Sequence, residues 1–410
     1  MDLVAHSIPA RPRLRPGGLW AVAFAFVAVM AFSTVPTPLY ALYQERDGFP
    51  TFVITVIFAA YAVGVVVALF FAGHVSDWVG RRRALVPAVV LSMMSAVVFL
   101  VWREVPGLLL GRMLSGLSVG IVTATATAYL GELHLRERPG ELPERAQAIA
   151  TTANLGGLGL GALAAGLIAQ NVGAPLTVPF ALFLAVLGAA ATVVALTPET
   201  VTRPTHRPAY RPQRVVVPAA ARGLFFGAAA SAFVSLATFG LLTSLAPTFL
   251  AVTLHERSHA LAGVPAFTAF TAAVAAQRVA RAWGLRRLIV TGMAALSAGV
   301  LLVVAATWIA NLTLFLGGGI VAGAGAGLLM KGGISTASGL AAPEHRAEVL
   351  AGFFLAGYLG ISVPVLGLGA LDQWIAPKLA LLAFAGLLLA GLATAARPLL
   401  GRAGPGVRDW

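Results

Sequence analysis

Long stretches without a charged residue limit the fold of this chain more than any other feature. Residues 16–44 carry no charged side chain over 29 positions, and residues 48–76 carry none either. A transmembrane helix needs about 20 consecutive apolar residues, and these runs are continuous, whereas the strands of a membrane barrel alternate. We therefore predict an all-α integral membrane protein.

The composition indicates that the lipid bilayer is the solvent of this chain. Only 10% of the residues are charged and 59% are hydrophobic, whereas a soluble domain carries roughly 25% charged residues. Cysteine is absent, which excludes disulfides, thiolate metal sites and a cysteine nucleophile, and we predict no metal site. The sequence has no HExxH, GxSxG or P-loop pattern, so we predict that the protein is not an enzyme.

Charged residues divide the chain into twelve predicted membrane helices. Two uncharged runs, 146–198 and 288–330, are long enough for two passes each, with turns at 170–175 and near Asn311. The other eight helices are predicted near residues 16–44, 48–76, 84–102, 105–130, 223–252, 259–278, 348–370 and 378–396. An even number of passes puts both termini on the same side of the membrane.

The distribution of basic residues predicts which side that is. Of the 28 lysines and arginines, 22 fall on the side of the termini, four fall on the other side, and Arg112 and Lys331 lie within helices. Basic residues collect in cytoplasmic loops, so both termini are predicted to be cytoplasmic. This topology also accounts for the net charge of +13, and we expect no nucleic-acid binding. The preference for arginine over lysine suggests a GC-rich bacterial genome, and hence the bacterial cytoplasmic (inner) membrane.

A segment rich in proline and arginine, 197–218, separates the sixth and seventh predicted helices. Such a composition cannot pack a core and favours an extended, solvated chain. We therefore predict an N-terminal six-helix half at 1–196 and a cytoplasmic linker at 197–222. A C-terminal half with a short cytoplasmic tail follows at 223–410.

Two weak internal repeats relate these halves. The stretch GHVSDWVGRRRAL (73–85) is echoed by QRVARAWGLRRL (277–288) at an offset of 204, which aligns Gly80 with Gly284. Asp77 has no acidic counterpart in the second copy. The second echo joins LPERAQ (142–147) to APEHRAE (342–348). Duplicated units with the substrate site near the midplane between them are common in transporters, so the repeats predict two pseudo-symmetric six-helix halves.

The loop after the second helix resembles the signature Gly-xxx-Asp-(Arg/Lys)-x-Gly-Arg-(Arg/Lys) of the major facilitator superfamily. The matching residues are Gly73, Asp77, Gly80, Arg81 and Arg82. Trp78 departs from the pattern, because the family usually has a basic residue there. The resemblance implies the fold of that family and a loop that latches the two halves on the cytoplasmic side. Alternatively, the arginines only set the orientation and bind anionic headgroups.

Other short stretches resemble further motifs of the family. Gly111-Arg112-xxx-Gly116-xxx-Gly120 resembles the family's helix-4 motif, and Pro198-Glu199-Thr200 resembles a family feature that closes helix 6. The antiporter motif of helix 5 is a Gly-Pro pair in a glycine ladder. This chain has the ladder but carries Ala162 at the position of the proline. The ladder is therefore compatible with exchange and with simple helix packing.

Five charged residues are candidates for coupling substrate movement to an ion gradient. They are Arg112, Glu132, Lys331, Glu45 and Asp47. The resemblance implies that Arg112 assists substrate or proton coupling, but it could also be a structural cation bonded to helix carbonyls. Lys331 could pair with Glu132 or snorkel to the headgroups.

Polar residues at helical spacing are candidates for contacts with the substrate. In the family that the chain resembles, helices 1, 4, 7 and 10 line the central cavity. The candidates are Ser33, Thr37, Tyr40, Tyr61, Thr123, Thr127, Asn154, Ser231, Ser235, Thr238 and Tyr358. The hydroxyls could equally bond carbonyls of their own helices, and the tyrosines could serve packing or the membrane interface.

Together these features predict a secondary active transporter that works by alternating access. We expect proton-coupled export of small hydrophobic or amphipathic molecules by a monomer in the lipid bilayer, with no cofactor besides a proton gradient. The alternatives are proton-coupled uptake of a sugar or other metabolite, and a membrane sensor that transports nothing.

Overall fold

The described part of the chain contains twelve helices that are long and apolar enough to span a membrane. A computed structural model describes residues 17–72, 75–138, 140–141, 144–201, 221–244, 258–341 and 346–401, together with Pro247 and Leu250. These residues form helices and short connections without a strand, which confirms the all-α prediction. The spans are α1 Gly18–Asp47, α2 Thr51–Ala72, α3 Arg81–Val101, α4 Val105–Glu137, α5 Glu144–Asn171, α6 Val178–Ala195, α7 Arg222–Ser244, α8 His259–Ala282, α9 Leu285–Trp308, α10 Leu312–Gly339, α11 Glu348–Leu371 and α12 Pro377–Leu400.

Several helices extend beyond the ends that the charges predict. Helix α3 begins at Arg81 and not near residue 84, so all three arginines lie in its first turn. Helix α4 continues to Glu137, which places Glu132 inside the helix. Charges mark the depth at which side chains meet water or headgroups, whereas the backbone of a helix can continue past that depth with all its hydrogen bonds intact.

The helices pack as two similar six-helix halves. In the first half, α1 contacts α4, α5 and α6, while α2 and α3 pack on α4 and α3 packs on α6. The second half repeats every one of these contacts six helices later, from α7 with α10, α11 and α12 to α9 with α12. The predicted pseudo-symmetric fold is thereby confirmed. The domain boundaries at residues 196 and 222 stay a prediction, because residues 202–220 lie outside the described ranges.

The two halves meet mainly through two helix pairs, α5 with α8 and α2 with α11, with smaller contacts of α1 and α2 with α7 and of α1 with α8. We call the end of the bundle at residues 17, 80 and 401 the arginine-rich side, and the other end the opposite side. Glycines bring the halves together near the opposite side, where Gly166 lies against His259 and Gly369 lies against Thr55. A Cβ atom at Gly369 would be 3.1 Å from the Cβ atom of Thr55. Because this contact has no room for added atoms, the halves are closely packed there.

Toward the arginine-rich side, a small pocket lies between α2 and α11. The space between them is lined by Val66, Leu69 and Phe70 of α2 and by Ala351 and Leu355 of α11. All five side chains are apolar. The two helices are therefore closely packed near the opposite side and leave a small apolar space between them toward the arginine-rich side.

Helix α1 is interrupted at residues 35–39 by two prolines. Pro36 and Pro38 lack the N–H groups that would complete the helical ladder, and Thr37–Leu39 forms a turn of 3₁₀ helix. Carbonyl groups in the preceding turn are consequently available to other donors. One of these carbonyls, that of Thr34, accepts a hydrogen bond from the Thr37 hydroxyl at 2.6 Å. The interrupted segment thus supplies one of the replacement donors.

Candidate functional site

The loop between α2 and α3 forms a charged cluster around Arg81. Its guanidinium donates to Glu132 Oε1 from Nε at 3.0 Å and from Nη2 at 2.8 Å, and to Ser76 Oγ at 2.8 Å. It also pairs with Asp77, one helical turn earlier. The Arg81 side chain is largely buried, whereas 60% of the Asp77 side chain is exposed. Two carboxylates therefore share one buried cation, and the more exposed of them is Asp77.

Glu199 completes this cluster from the segment that follows α6. Its Oε1 atom accepts from the backbone N–H of Arg81 at 2.8 Å and from that of Thr200 at 3.0 Å. The first N–H groups of a helix have no partner within it, and an acid there stabilises the helix end. Glu199 thus caps α3 and fixes the start of the predicted linker to the first half.

The conformation of Gly80 depends on this cap. Gly80 has φ 115° and ψ 145°, a region that is essentially restricted to glycine. A Cβ atom at this position would collide with the carboxylate of Glu199. Both the backbone angles and the proximity of Glu199 therefore require glycine.

Within the described residues, the charged cluster joins the first half to the segment that follows α6. The contacts of Asp77 and Arg81 in the described residues are with Ser76, Glu132 and Glu199. Arg82 directs its guanidinium to the Ala195 and Thr197 carbonyls at 3.4 Å each. None of these contacts reaches a described residue of the second half, and the latch between the halves that the family resemblance implies stays a prediction. Gly73 lies outside the described residues.

Glu132 and Lys331 do not pair in this structure. Glu132 binds Arg81 and accepts from the Thr200 hydroxyl. Lys331 directs its Nζ atom to the carbonyls of Gln277 at 3.3 Å and Ala280 at 3.1 Å, near the end of α8. A cation at the carboxyl end of a helix is stabilised by the helix dipole and the free carbonyls. Lys331 therefore satisfies the last turn of α8.

Replacing Glu132 with glutamine is expected to destabilise the protein. The change leaves the buried Arg81 with only the exposed Asp77 carboxylate, which costs about 1–3 kcal/mol for lost charged hydrogen bonds. The thermal unfolding temperature of the purified protein measures the loss. Glu141→Gln is the matched control, because the Glu141 carboxyl is exposed, although Arg138 at 2.8 Å holds its pKa below the usual range. Equal unfolding temperatures for the two variants would contradict the role of Glu132.

Arg112 is the most deeply buried charged residue in the described helices. Its side chain is 1% exposed, and Nη1 donates to the Ser33 carbonyl at 2.5 Å, in the turn that precedes the break in α1. The guanidinium faces the rings of Tyr61 at 4.5 Å and Phe58 at 5.6 Å. Such contacts of a cation with aromatic faces are favourable when the cation is desolvated.

The contacts around Arg112 leave several donors without partners. Within the described part of the chain, Arg112 Nε, the Tyr40 hydroxyl and the Ser115 hydroxyl are buried and have no hydrogen-bond partner. Tyr61 belongs to α2, which packs on α11 of the second half, the helix that carries Tyr358. The Arg112 surroundings therefore extend through Tyr61 to the boundary between the halves.

The acids at the opposite side are close to water. Glu45 and Asp47 are exposed, and Asp47 is held by both nitrogens of its neighbour Arg46 at 2.6 and 2.7 Å. Asp372, which the sequence reasoning missed, follows α11 directly, and partial burial raises its pKa. A carboxyl with a raised pKa takes up a proton more readily than one that is paired with arginine.

Most hydroxyls of the predicted polar faces bond their own helices. The distances from Ser33, Thr127, Ser231 and Thr238 to carbonyls one turn earlier are 2.7, 2.7, 2.7 and 2.9 Å, respectively. Side chains that bond back in this way are not free to bind a ligand in this conformation. The same holds for Thr37, which leaves few hydroxyls of the predicted set available.

The remaining cavity candidates are distributed among different environments. Thr123 and Ser235 have buried hydroxyls without a partner among the described residues. Asn154 lies in Thr152–Gly156, a single turn of π-helix in α5 that contacts α1 and α8. Such turns are frequent at functional sites. Tyr40 and Tyr61 are buried, whereas Tyr358 is partly exposed.

Comparisons with known proteins show what this chain is similar to. The sequence profile of the Major Facilitator Superfamily matches residues 19–275, more than half of the chain. An uncharacterized MFS-type transporter from Methanocaldococcus jannaschii is 26% identical over 171 residues, which are 42% of this chain and 42% of that relative. The alignment thus spans less than half of the relative's length.

Solved structures with a similar fold cover nearly the whole chain. The partially occluded, inward-open xylose transporter XylE from E. coli has a TM-score of 0.72 at 14% identity, and the alignment covers 96% of this chain and 99% of XylE. The human organic anion transporter MFSD10 has a TM-score of 0.66 at 15% identity, with 93% and 100% covered. A peptide transporter, POT, has a TM-score of 0.71 at 17% identity, with 95% and 96% covered.

Proposed function

Because the chain belongs to the major facilitator superfamily, we propose that it is a secondary transporter that exports small apolar or amphipathic organic molecules by alternating access, in exchange for protons. In this proposal the arginine-rich side faces the cytoplasm of a bacterial cell. The protein acts as a monomer in the inner membrane, and each half contributes one wall of the substrate path.

The difference between the two sides of the bundle is the observation that supports this proposal most. The halves are packed tightly at Gly369 and Thr55 near the opposite side, while a small apolar space lies between α2 and α11 toward the arginine-rich side. A carrier loads from the side at which its halves are apart, and rocking of the halves then exposes the site to the other side. The apolar lining of the space between α2 and α11 favours apolar or amphipathic cargo over sugars.

Proton exchange is proposed to use a carboxyl near either end of the path. The candidates are Glu132 at the arginine-rich side and Glu45, Asp47 and Asp372 at the opposite side. Among these candidates Asp372 was added from the structure, and it is favoured because burial raises the pKa of its carboxyl. The Asp47 carboxylate is already paired with the Arg46 guanidinium in this conformation.

Transport into inside-out membrane vesicles tests the proposal. In such vesicles the arginine-rich side faces the medium, so the protein can load compounds from outside. When the vesicle interior is made acidic, protons that leave should drive the accumulation of apolar and amphipathic compounds from a panel. The accumulation should collapse when nigericin removes the pH gradient, and vesicles without the protein provide the background. Transport only from the opposite side would favour metabolite uptake, and no flux of any compound would favour a sensor.

A further inference from the structure

The charges located well inside the described helices are all positive. They are Arg112 and Lys331, whereas the acids of these helices, such as Glu45 and Glu132, lie toward helix ends. Lys331 already has two carbonyl partners at the end of α8. Arg112 lies seven residues from the start of α4, which corresponds to a depth of about 10 Å. Arg112 is thus the main charge that a ligand near the middle of the protein would meet.

The Arg112 guanidinium has donors to spare. It carries five N–H groups, and the contacts above engage Nη1 with one carbonyl while Nε has no partner in the described residues. Tyr40 lies close enough to Arg112 for an electrostatic interaction, and Ser115 follows Arg112 by three residues on the same face of α4. Both hydroxyls are buried without partners. The guanidinium thus has unpaired donors, two further unpaired hydroxyls lie on the helices that surround it, and no described carboxylate is paired with its charge.

We infer that this group of residues binds the anionic end of the transported molecule, and that the substrates are amphipathic organic anions such as carboxylates. The planar guanidinium suits a carboxylate, which accepts two parallel N–H bonds. The hydroxyls of Tyr40 and Ser115 supply neutral donors beside it. The inference rests on the proposed transport by alternating access, but it does not depend on proton exchange.

Two tyrosines connect this anion site to the boundary between the halves. Because Arg112 is 1% exposed, a ligand reaches it only if a neighbouring side chain moves aside. Tyr61 contacts the guanidinium and also lies near Tyr358 of the second half. Rotation of the Tyr61 ring would open Arg112 toward that boundary, and the two phenol rings would then contact the apolar body of the substrate.

The electrostatics of the site favour anions over the cationic compounds that an acidic cavity would attract. A buried cation without a counter-ion repels a second cation strongly in a medium of low dielectric constant, and it attracts an anion equally strongly. If the arginine-rich side is cytoplasmic, the inside-negative membrane potential also drives an anion outward. Export of anions would then need no titrating carboxyl at the centre of the membrane.

Matched head groups on one skeleton test the inference. The full-length protein in nanodiscs is titrated at pH 7.4 with 4-phenylbutyrate, 4-phenylbutanamide and 4-phenylbutylamine, and with the same three head groups on a naphthylmethyl skeleton. Binding is followed by tryptophan fluorescence and by the shift in unfolding temperature. We expect the carboxylates to bind about tenfold or more tightly than the amides, since charged hydrogen bonds contribute this much. The amines should bind most weakly.

Variants then assign this preference to Arg112. The ratio of carboxylate to amide affinity should fall to about one in Arg112→Gln and be partly retained in Arg112→Lys. Arg103→Gln, an arginine outside the pocket near the opposite side, should keep the wild-type ratio. Arg112 also holds α1 through the Ser33 carbonyl, and loss of this bond is one way for Arg112→Gln to fail to fold. In that case Tyr40→Phe and Ser115→Ala carry the test, since neither removes that bond, and each should lower the ratio several-fold.

The inference and the proposed transport can fail separately. Equal affinity for the three head groups, a preference for amines, no binding of any carboxylate, or an unchanged ratio in folded Arg112→Gln would overturn the inference. If vesicles transport only neutral or cationic compounds, the transport proposal stands and the anion site does not. If carboxylates bind through Arg112 but none is transported, the anion site stands and the transport proposal does not.

Discussion

Oxidation of a Thr55→Cys/Gly369→Cys variant is expected to stop transport and reduction to restore it. A Cβ atom at residue 369 would lie 3.1 Å from Thr55 Cβ, close to the roughly 3.5–4.5 Å that separates the Cβ atoms in disulfides. The cross-link joins α2 to α11 near the opposite side, where alternating access requires the halves to separate. The natural chain contains no cysteine, so no background variant is needed. Flux of a compound identified in inside-out vesicles, before and after dithiothreitol, measures the effect.

A cross-link within one half provides the control for this experiment. Ser92 and Ser118 join α3 to α4 through hydroxyls 2.7 Å apart, and the two helices belong to the same half. The oxidised Ser92→Cys/Ser118→Cys variant should retain transport, because its disulfide does not span the halves. Full transport by a quantitatively cross-linked Thr55→Cys/Gly369→Cys variant would show that this contact stays closed throughout the cycle.

The arrangement of spans could be predicted from the sequence because a bilayer makes charge placement informative. Apolar runs must be helical in lipid, and arginines mark their ends. Those same arginines misplaced the start of α3, since the residues 81–83 continue the helix backbone at the membrane surface. The alignment of Gly80 with Gly284 also predicted the symmetry of the contacts correctly, although each repeat alone is a weak signal.

Partners in the candidate site were harder to predict because they come from distant segments. Glu199 caps α3 across more than a hundred residues of sequence, and only the likeness of Pro198-Glu199-Thr200 to a family feature drew attention to it. Ser115 has no motif that marks it. Glu132 was matched with Lys331 because both residues occupy related positions in the repeat, but equivalent positions in two halves need not touch. The direction in which a serine or threonine hydroxyl points depends on its rotamer, which spacing does not determine.

The repeat supplies a matched pair of glycine variants whose expected effects differ sharply. In Gly80→Ala, the residue must keep φ 115° and ψ 145° or distort the start of α3, at a cost of about 1–3 kcal/mol. The added methyl group also meets the carboxylate of Glu199, so the cap of α3 is displaced. Lower unfolding temperature and loss of most transport are the expected results, measured on the purified protein and in vesicles.

Gly284→Ala should change neither property measurably. Gly284 has φ −65° and ψ 156°, angles that alanine adopts freely, and no atom lies within 4 Å of an added Cβ among its described neighbours. The two copies therefore have the same residue for different reasons, since only Gly80 is constrained by a carboxylate and a positive φ. Combining Gly80→Ala with Glu199→Ala separates these constraints, because the double variant removes the collision and keeps the strain. If Gly80→Ala proves as stable and active as Gly284→Ala, neither constraint acts in the folded protein, and the cap by Glu199 does not hold the loop to α3.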